Sequence, residues 1–398
     1  MKILIITTRI PYPPFRGDKL KIFNIAKNLT RNNDVKIITF YRFQKQLRDL
    51  EHLRKHKILV EGVRLTLFES VLKLFLSVFS NLPFQVAWFR SHKMYSKVFN
   101  EVIAGHYDVI YFHLIRSAQF FNSSFKSYGR IFVIDFTDAV SLYLKRFGET
   151  EKNIIKRFFI RVEQKRVEKY EKIADEFDSL FICSEIDKQF LQKRDIQADI
   201  KILNNGIDTK YFDGIDTDFE KNRIIFTGNM PYRANYDAVL YFVKSIFPLI
   251  RAKIPDAKFY IVGQNPPRKI KKLACHNIIV TGFVPDIKLE YLKSAVNVAP
   301  MRFGAGTLNK VLESISLGVP VVTTSIAVEG LPDELNKFVF IADSPDQFAD
   351  RVVEIMKYRN FKNELLIEGK SVIRKLLSWE NIVTEFELQL KNKLDGKN

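Results

Sequence analysis

The residues best suited to chemistry lie in the segment 299–324, APMRFGAGTLNKVLESISLGVPVVTT. A strand is predicted to end at Pro300, a loop containing Gly304 and Gly306 follows, and a helix is predicted over about 308–317. Glycines let a backbone approach a ligand closely, and the start of a helix offers unpaired N–H groups at a positive dipole end. This arrangement suits a diphosphate group.

The predicted helix carries a basic and an acidic side chain on one face. Asn309 and Glu313 are four residues apart and Lys310 and Glu313 are three apart, so they are neighbours on the helix surface. A carboxylate at this position can accept hydrogen bonds from both hydroxyls of a ribose. A solvated Lys–Glu pair on an ordinary helix has the same spacing, and spacing alone does not separate the two interpretations.

A second junction of strand, glycine loop and helix lies in residues 226–242, FTGNMPYRANYDAVLYF. Gly228 is predicted to end the strand, and Asn229, Arg233 and Asn235 are predicted to point into the same crevice. Arg233 is the expected phosphate contact, because a guanidinium binds phosphate oxygens in pairs. A solvent-exposed loop arginine is the alternative.

Polar residues also follow predicted strands in the first half of the chain. Gly17 precedes an amphipathic helix with Arg16 and Asp18 beside it, and His113 ends the run DVIYFHL. Asp138, or the aspartate three residues before it, is expected to face a ligand from the end of the run VIDF. For His113, a structural histidine with satisfied hydrogen bonds is the alternative.

Short apolar runs of strand length alternate with helix-length amphipathic stretches, and these elements must position the residues above. The runs are 2–8, 35–41, 63–68, 108–114, 130–136, 180–184, 223–228, 257–263, 277–283, 296–300, 319–325 and 338–343. Continuous hydrophobicity is typical of parallel strands covered by helices on both faces. Two such series predict an α/β protein with two Rossmann-like, doubly wound domains.

The predicted domain boundary lies near 204–222, where Asn, Asp and Gly favour turns and the periodicity lapses. We therefore assign residues 1–203 to an N-terminal domain and 204–377 to a C-terminal one. Ligands bind outside the carboxyl ends of the strands in such folds, so the two domains are expected to face each other across a cleft that holds the ligand.

The amino-acid composition and the absence of several motifs exclude some classes of function. The 398 residues carry a net charge of +18, which argues for an anionic partner. The two cysteines exclude a disulfide framework and fit a reducing compartment. The sequence has no Cys/His cluster with zinc spacing, no Gly-rich loop ending in Lys-Ser or Lys-Thr, and no GxSxG elbow.

Two segments have the composition of surfaces that lie on membranes. Residues 70–89 are apolar but too short to span a bilayer, since Lys73 and Pro83 interrupt them. A predicted helix within 145–172 carries basic residues at 157, 161, 165 and 169. Both suit an amphipathic helix on anionic lipid. The alternatives are a helix packed within its own domain for the first segment and a solvated face for the second.

Several separated motifs resemble the retaining GT-B glycosyltransferases of family 4, above all the bacterial sugar transferases of exopolysaccharide assembly. They are FTGNMPYRANYDAVLYFVKSIFPLIR, FYIVGQNPP, VTGFVPDIKLEYL and VNVAPMRFGAGTLNKVLESISLGVPVVTTSIAVEGL, with PYPPFRGDKLKIFNIAKNL and VIDFTDAVS before them. The resemblance is dense over about 223–331 and scattered before it.

The resemblance implies that a sugar moves, with retained anomeric configuration, from a UDP- or GDP-linked donor to a glycan or polyprenyl-linked acceptor in cell-surface polysaccharide biosynthesis. The implied catalytic residues are His113 and Arg233, and Arg16, Asp18 and Asp138 lie on the acceptor side. The implied donor-binding residues are Gly17, Gly228, Asn229, Arg233, Gly304, Ala305, Gly306, Thr307, Lys310 and Glu313.

Glu313 matches the second glutamate of the family's Glu-x7-Glu pattern, the ribose ligand, whereas Ala305 stands at the first. Loop N–H groups from Gly304 to Thr307 are expected to serve there instead. Residues 378–398 resemble the terminal helix that crosses back to the N-terminal domain. No cofactor and no metal is expected, and the protein is expected in the cytoplasm, at the inner face of the membrane.

Two other classes share part of this pattern. An epimerase or phosphorylase acting on a phosphorylated sugar has the same fold, but needs a carboxylate acid/base pair or a cofactor lysine. A non-enzymatic nucleic-acid binder explains the charge, but interleaves aromatic and basic residues on an exposed surface. Here the glycine loops follow strands instead, so no nucleic-acid partner is expected.

Overall fold

A computed structural model describes residues 1–128, 130–213, 218–358 and 363–396 of the chain. Residues 214–217 of the predicted boundary segment therefore lie outside the described residues. The chain divides into two compact units. The first contains residues 1–204 and the helix that begins at Trp379, and the second contains residues 205–378.

The first unit is built on a parallel sheet. Its strands are β1 (Lys2–Thr7), β2 (Asp34–Tyr41), β3 (Leu59–Arg64), β4 (Val109–His113), β5 (Ile131–Thr137), β6 (Ser179–Ile182) and β7 (Ile200–Ile202). They lie in the order β3-β2-β1-β4-β5-β6-β7. The order reverses beside β1, so the carboxyl ends of β1 and β4 form the switch point where ligands bind in such sheets.

Helices cover this sheet. They are α1 (Gly17–Leu29), α2 (Leu47–Arg54), α3 (Leu67–Ser77), α4 (Phe84–Ala87), α5 (His92–Ala104), α6 (Val140–Thr150), α7 (Ile154–Glu171) and α8 (Glu185–Gln192), with the C-terminal helix Trp379–Asp395. The C-terminal helix packs on this unit through Phe386, whose ring lies edge-on to Tyr111 and Phe181 at 5.7 and 5.0 Å.

The second unit has a parallel sheet of its own. Its strands are β8 (Glu220–Thr227), β9 (Lys258–Val262), β10 (Ile278–Gly282), β11 (Ser294–Ala299), β12 (Val321–Thr323) and β13 (Phe340–Ile341), in the order β10-β9-β8-β11-β12-β13. Its helices are α9 (Arg233–Tyr241), α10 (Phe247–Lys253), α11 (Arg268–Lys271), α12 (Ile287–Leu292), α13 (Asn309–Leu317), α14 (Ser325–Val328), α15 (Pro345–Lys357) and α16 (Asn363–Leu377), and Trp379–Asp395 is α17. The predicted fold class, two Rossmann-like α/β domains, is confirmed.

Several predicted element boundaries were wrong. The run 63–68 was expected to be one strand, but β3 ends at Arg64 and Leu67 already begins α3. Thr66 and Glu69 form a capping box: the Glu69 amide donates to Thr66 Oγ1 at 3.2 Å, and the Thr66 amide donates to Glu69 at 2.8 Å. These reciprocal hydrogen bonds satisfy the first turn of a helix, so they stop the strand. The short strand β7 was not predicted.

One of the two membrane-like segments is also divided differently. Residues 70–89 do not form one helix, because α3 ends at Ser77 and the single turn α4 follows Pro83. The predicted basic helix within 145–172 is α7, which carries Arg157, half-buried against the Glu151 carbonyl at 2.6 Å, and the exposed Arg161, Lys165 and Lys169. Among the described residues, no helix is both long and apolar enough to cross a bilayer.

Candidate functional site

The carboxyl ends of β8 and β9 pack closely enough to require glycine. A Cβ added at Gly263 would lie 1.8 Å from the Gly228 carbonyl oxygen. A Cβ at Gly228 would lie 2.6 Å from the side-chain nitrogen of Asn235. The absence of side chains at both positions therefore brings the loop after β8 and the start of α9 together at the edge of the sheet.

Lys310 is buried at this edge. It is only 7% exposed, its ammonium donates to Asn235 Oδ1 at 2.7 Å, and the same nitrogen lies 3.9 Å from the centre of the Phe226 ring. Asn235 in turn donates to the Asn229 carbonyl at 3.1 Å. Burial lowers the pKa of Lys310 to about 7, although the Glu313 carboxylate acts in the opposite direction. A solvated surface pair is excluded for Lys310 and Glu313.

Glu313 is held from a third element. One carboxylate oxygen accepts a hydrogen bond from the Tyr291 hydroxyl at 2.8 Å, and that hydroxyl also lies 2.5 Å from Thr227 Oγ1. Burial raises the pKa of Glu313, while the Tyr291 hydrogen bond and the charge of Lys310 lower it. Tyr291 fixes one oxygen and leaves the other for a ligand. Sequence reasoning missed Tyr291, because it lies 22 residues away on α12.

The glycine loop before α13 is packed at Gly306 and Thr307 and is open at Gly304 and Ala305. Gly306 has φ +72°, a conformation that favours glycine, and a Cβ at Gly330 would lie 2.0 Å from the Gly306 carbonyl oxygen. The Thr307 hydroxyl donates to the Gly330 carbonyl at 2.8 Å. A Cβ at Gly304 meets no atom within 4 Å, and Ala305 is half-exposed. A ligand can therefore approach the backbone here.

Arg233 is the first residue of α9 and is exposed, with its guanidinium 5.3 Å from the Tyr236 ring. One turn further along α9, Asp237 binds the Arg302 guanidinium at 2.6 and 2.9 Å. This bidentate pair joins the start of the glycine loop, just after β11, to α9. Sequence reasoning did not single out Arg302, because the two residues are 65 positions apart.

His113 is the last residue of β4 and is 1% exposed. Its Nδ1 lies 3.0 Å from the Thr7 hydroxyl, and its Nε2 is buried without a hydrogen-bond partner. Burial lowers the pKa of His113 to about 4, against the opposing effects of Asp135 and Asp18, so the imidazole is neutral near pH 7. The next residue, Leu114, has φ +70°. Such backbone strain clusters at functional sites.

Asp18 lies in the first turn of α1 and is surrounded by arginines. Arg9 is 2.6 Å from its carboxylate, and Arg16 and Arg116 are each 3.4 Å away. Gly17 begins the same helix, and a Cβ placed on it would meet no atom within 4 Å. The sequence pattern singled out Arg16, Gly17 and Asp18, but not Arg9 or Arg116.

A buried ion pair lies next to His113, which neighbours Asp135 on the adjacent strand β5. Lys21 and Asp135 are both completely buried, with the ammonium 2.9 Å from the carboxylate. Asp135 also accepts from the Tyr111 hydroxyl at 2.5 Å and from the Thr137 amide at 2.6 Å. This network fixes α1 to β5. Asp135 is thus structural, and Asp138 is the aspartate of this run that is left with partial exposure.

Asp138 lies one strand away from the His113 region. It accepts a hydrogen bond from the Cys183 thiol at 3.2 Å, and burial beside Asp187 raises its pKa to about 7. Oxygens of the two aspartates and the Cys183 sulfur lie within 4.8 Å of one another. Asp187 already accepts from the Ala139 amide and from the Ser184 hydroxyl, which caps α8. The cluster is therefore explained by hydrogen bonding within the fold.

The structure thus gathers the predicted residues, with the exception of Asp138, into one cluster in each unit. His113, Arg16, Gly17 and Asp18 meet at the switch point of the first sheet. The residues that were predicted to bind the donor, apart from Gly17, lie at the equivalent edge of the second sheet and are Gly228, Asn229, Arg233, Gly304, Ala305, Gly306, Thr307, Lys310 and Glu313.

Comparison with solved structures defines the class of fold. The chain is similar to Anabaena HepE in complex with UDP-glucose, with TM-score 0.70 and 14% identity over 98% of this chain and 100% of that one. It is also similar to sucrose-phosphate synthase from Thermosynechococcus elongatus, with TM-score 0.68 and 14% identity over all of both chains. Two parallel Rossmann-like sheets of this kind are the GT-B fold of glycosyltransferases.

Sequence comparison identifies the second unit more closely. Residues 221–358 match the family described as glycosyl transferases group 1, so the chain carries a glycosyltransferase group 1 domain. A relative from Klebsiella pneumoniae, named as an uncharacterised 44.6 kDa protein in the cps region, is 23% identical over 94% of this chain and 95% of its own length. An uncharacterised glycosyltransferase of Methanocaldococcus jannaschii is 23% identical over 47% of this chain and 52% of its own length.

Proposed function

We propose that this protein transfers a sugar from a nucleotide-diphosphate sugar, UDP- or GDP-linked, to a glycan or lipid-linked acceptor in cell-surface polysaccharide biosynthesis. The observation that carries the proposal is that Glu313, held by Tyr291, and Lys310, held by Asn235, lie one turn apart on α13 beside an open glycine loop in a glycosyltransferase group 1 domain. The solved structure of HepE with UDP-glucose supports the choice of donor, and the Klebsiella relative supports the biosynthetic setting.

In this proposal each group has one task. The free oxygen of Glu313 accepts hydrogen bonds from the ribose hydroxyls. Lys310, Arg233 and the N–H groups of the loop from Gly304 to Thr307 stabilise the charge that builds on the diphosphate as the glycosidic bond breaks. Because these hydrogen-bond donors are already in place, we propose that the reaction needs no metal ion, and activity should survive chelation by EDTA.

We propose transfer with retention of configuration. The bond between the anomeric carbon and the diphosphate oxygen breaks as the acceptor oxygen attacks from the same face, and the acceptor proton passes to the leaving β-phosphate. In this proposal the imidazole of His113 is neutral, and its Nε2 forms a hydrogen bond with the sugar during this step. NMR of the fresh product tests the stereochemistry: an unchanged anomeric configuration supports the proposal and an inverted one contradicts it.

The donor site is tested by Glu313→Gln. Hydrogen bonds to a charged group contribute about 1.5–3 kcal/mol. The variant should therefore bind UDP or GDP about tenfold to a hundredfold more weakly. It should lose equal affinity for the free nucleotide and for the sugar nucleotide, since the ribose is common to both. Glu334→Gln, an exposed residue of the same unit, is the matched control for calorimetry.

We also propose that the protein works at the inner membrane face. Exposed apolar side chains cover α3, among them Phe68 at 76% and Phe75 at 63%, and Phe79 beyond its end is 80% exposed. The start of α7 exposes Phe158 and Phe159 in the same way. Arg166 of α7 donates to the carbonyls of Ser77 and Val78, so the two helices adjoin. Contiguous exposed apolar side chains are typical of interaction sites.

Flotation with vesicles tests this surface. The protein should bind anionic vesicles, and binding should weaken with salt, because exposed charges are screened. The double variant Phe68→Ser/Phe75→Ser should lose most of the binding, whereas Ile341→Ser/Ile367→Ser, which removes two exposed isoleucines elsewhere, should not. Equal absence of binding to neutral and anionic vesicles would contradict the proposal.

A further inference from the structure

The hydroxyl of Tyr291 connects three elements of the second unit. The Tyr291 side chain is completely buried on α12. Its oxygen lies 2.5 Å from Thr227 Oγ1 on β8 and 2.8 Å from Glu313 Oε2 on α13, and the Lys310 carbonyl is more distant at 3.4 Å. A phenolic hydroxyl has one proton to donate. The partner that receives this proton decides what the network does.

The Glu313 carboxylate is the preferred acceptor of that proton. A hydrogen bond to an ionised group is roughly twice as strong as one between neutral groups. Tyr291 therefore donates to Glu313, and the Thr227 hydroxyl is left to donate to the Tyr291 oxygen. Hydroxyls linked in this order polarise one another, which strengthens the bond to the carboxylate. The chain of hydrogen bonds runs in one direction, from β8 through α12 to α13.

Packing holds this chain of hydrogen bonds in place before a ligand arrives. Glu290, the residue before Tyr291 on α12, forms an ion pair with Arg223 of β8. Arg223 and Thr227 are four positions apart on β8, so their side chains lie on the same face of the sheet. The ion pair therefore holds α12 against the face of β8 on which the Thr227 hydroxyl meets Tyr291.

Glu313 keeps one oxygen for a ligand. Its side chain is half-buried, Oε2 accepts from Tyr291, and no described residue donates a hydrogen bond to Oε1. Rotation of the carboxylate would break the Tyr291 hydrogen bond, so Oε1 keeps one orientation. Burial raises the pKa of Glu313, and the hydrogen bond from Tyr291 is the larger of the two effects that oppose it. A protonated Glu313 would carry no charge and accept fewer hydrogen bonds.

We propose that Tyr291 is a positioning residue of the donor site: with Thr227 behind it, its hydroxyl keeps Glu313 ionised and in one orientation, and so sets the lowest pH at which the protein binds a nucleotide through its ribose. This inference rests on the proposed function, in which Glu313 is the ribose ligand. Lys310, on the same helix, is the other charged group that acts on Glu313, and it is unchanged in every variant below.

Titration of Glu313 tests the proposal without a nucleotide. In protein isotope-labelled at the carboxyl carbon of glutamate, the NMR signal of Glu313 is the one that Glu313→Gln lacks. Its midpoint should lie at least about one pH unit higher in Tyr291→Phe than in wild type, because a hydrogen bond to a charged group is lost. Tyr260→Phe, which removes a hydroxyl from β9 of the same unit, is the control and should leave the midpoint unchanged.

Variants of Thr227 test the second hydroxyl of the chain. Thr227→Val keeps the shape of the side chain but removes the hydroxyl, so the Glu313 midpoint should move in the same direction as in Tyr291→Phe, and by less. Thr227→Ser restores the hydroxyl and should restore the wild-type midpoint. If Tyr291→Phe fails to fold, this pair of variants decides.

Nucleotide affinity separates positioning from packing. Calorimetry with UDP or GDP should show that Tyr291→Phe binds more weakly as the pH falls, and the loss should approach about tenfold for each pH unit by which the Glu313 midpoint has moved. In Glu313→Gln, which cannot ionise, adding Tyr291→Phe should leave the pH dependence of binding unchanged. The ionisation of Lys310 and of the nucleotide is common to both comparisons.

An unchanged Glu313 midpoint in Tyr291→Phe would overturn the proposal. An equal loss of nucleotide affinity with and without Glu313, at every pH, would also overturn it, because that result is expected if Tyr291 only fills the core. Failure of the proposed function looks different. If neither UDP nor GDP binds the wild-type protein but the Glu313 midpoint still moves in Tyr291→Phe, the positioning network stands and the donor assignment fails.

Discussion

The lowered pKa of Lys310 predicts that the protein takes up a proton when it binds a nucleotide. Burial lowers its pKa to about 7, so the lysine of the unliganded protein is mostly neutral at pH 8. A diphosphate beside it favours the charged form, and nucleotide binding at pH 8 should therefore take up close to one proton. Calorimetry in buffers of different ionisation enthalpy measures this number.

The control for Lys310 separates it from the nucleotide's own ionisation. Lys310→Met should bind UDP or GDP more weakly and without this proton uptake, whereas Lys357→Met, an exposed lysine of α15, should behave as wild type. The same uptake in Lys310→Met and wild type would show that another group titrates.

The neutral, buried state of His113 predicts an effect on turnover and an effect on the pH dependence of stability. His113→Gln should lower turnover by at least about a hundredfold while donor affinity changes little, because the imidazole acts on the reacting sugar. The folded pKa of about 4 lies below the unfolded value of 6.5, so the unfolded chain binds more protons between these values. His113 therefore stabilises the fold less as pH falls from 6.5 to 4.

Urea unfolding across this pH range measures the second effect. Wild-type stability should fall by about 3 kcal/mol more than that of His113→Gln between pH 7 and pH 4. Parallel pH profiles for the two proteins would contradict a neutral, buried histidine. A variant that loses turnover only because it is unfolded would favour the structural interpretation of His113.

Residue spacing predicted those members of each cluster that lie within one strand–loop–helix segment. Gly304, Lys310 and Glu313 lie within one strand–loop–helix segment, where their spacing on one helix is visible in the sequence. Tyr291 and Arg302 were missed, because their partners Glu313 and Asp237 lie on other elements. Hydrogen bonds that depend on how elements pack leave no local pattern.

At the scale of elements, the buried pair of Lys21 and Asp135 fixes α1 to β5. Lys21→Met should destabilise the protein by about 3–5 kcal/mol, because it leaves a buried carboxylate without its cation. Lys27→Met, on the exposed side of the same helix, should change stability by less than about 0.5 kcal/mol. Urea unfolding compares the two, and equal effects would contradict the assignment of Lys21 to the core of this unit.

Element boundaries were predicted where hydrophobicity changes sharply. The buried strands appeared as apolar runs, but the three-residue strand β7 is too short to produce one. The end of β3 was missed, because Leu67 and Phe68 continue the apolar run although the capping box has already begun α3. The exposed face of α3 cannot be inferred from composition, since the same residues suit a packed helix.

At the scale of the whole molecule, the fold class followed from the sequence because two series of buried strands need two covered parallel sheets. The charge of +18 is spread over both units and predicts anionic ligands, without separating nucleotide, lipid phosphate and nucleic acid. The structure adds where positive groups converge: around Lys310 in the second unit and around Asp18 in the first.

Thermal unfolding of the wild-type protein and of Glu313→Gln, each with UDP, with GDP and with single-stranded DNA, tests whether the protein binds a nucleotide through Glu313. A ligand at a hundred times its dissociation constant stabilises the folded state by about 2.7 kcal/mol. UDP or GDP should therefore raise the melting temperature of the wild type by several degrees and that of Glu313→Gln by much less, while DNA should have no effect. Stabilisation by DNA alone, or equal stabilisation of both proteins by the nucleotide, would contradict the proposed nucleotide site.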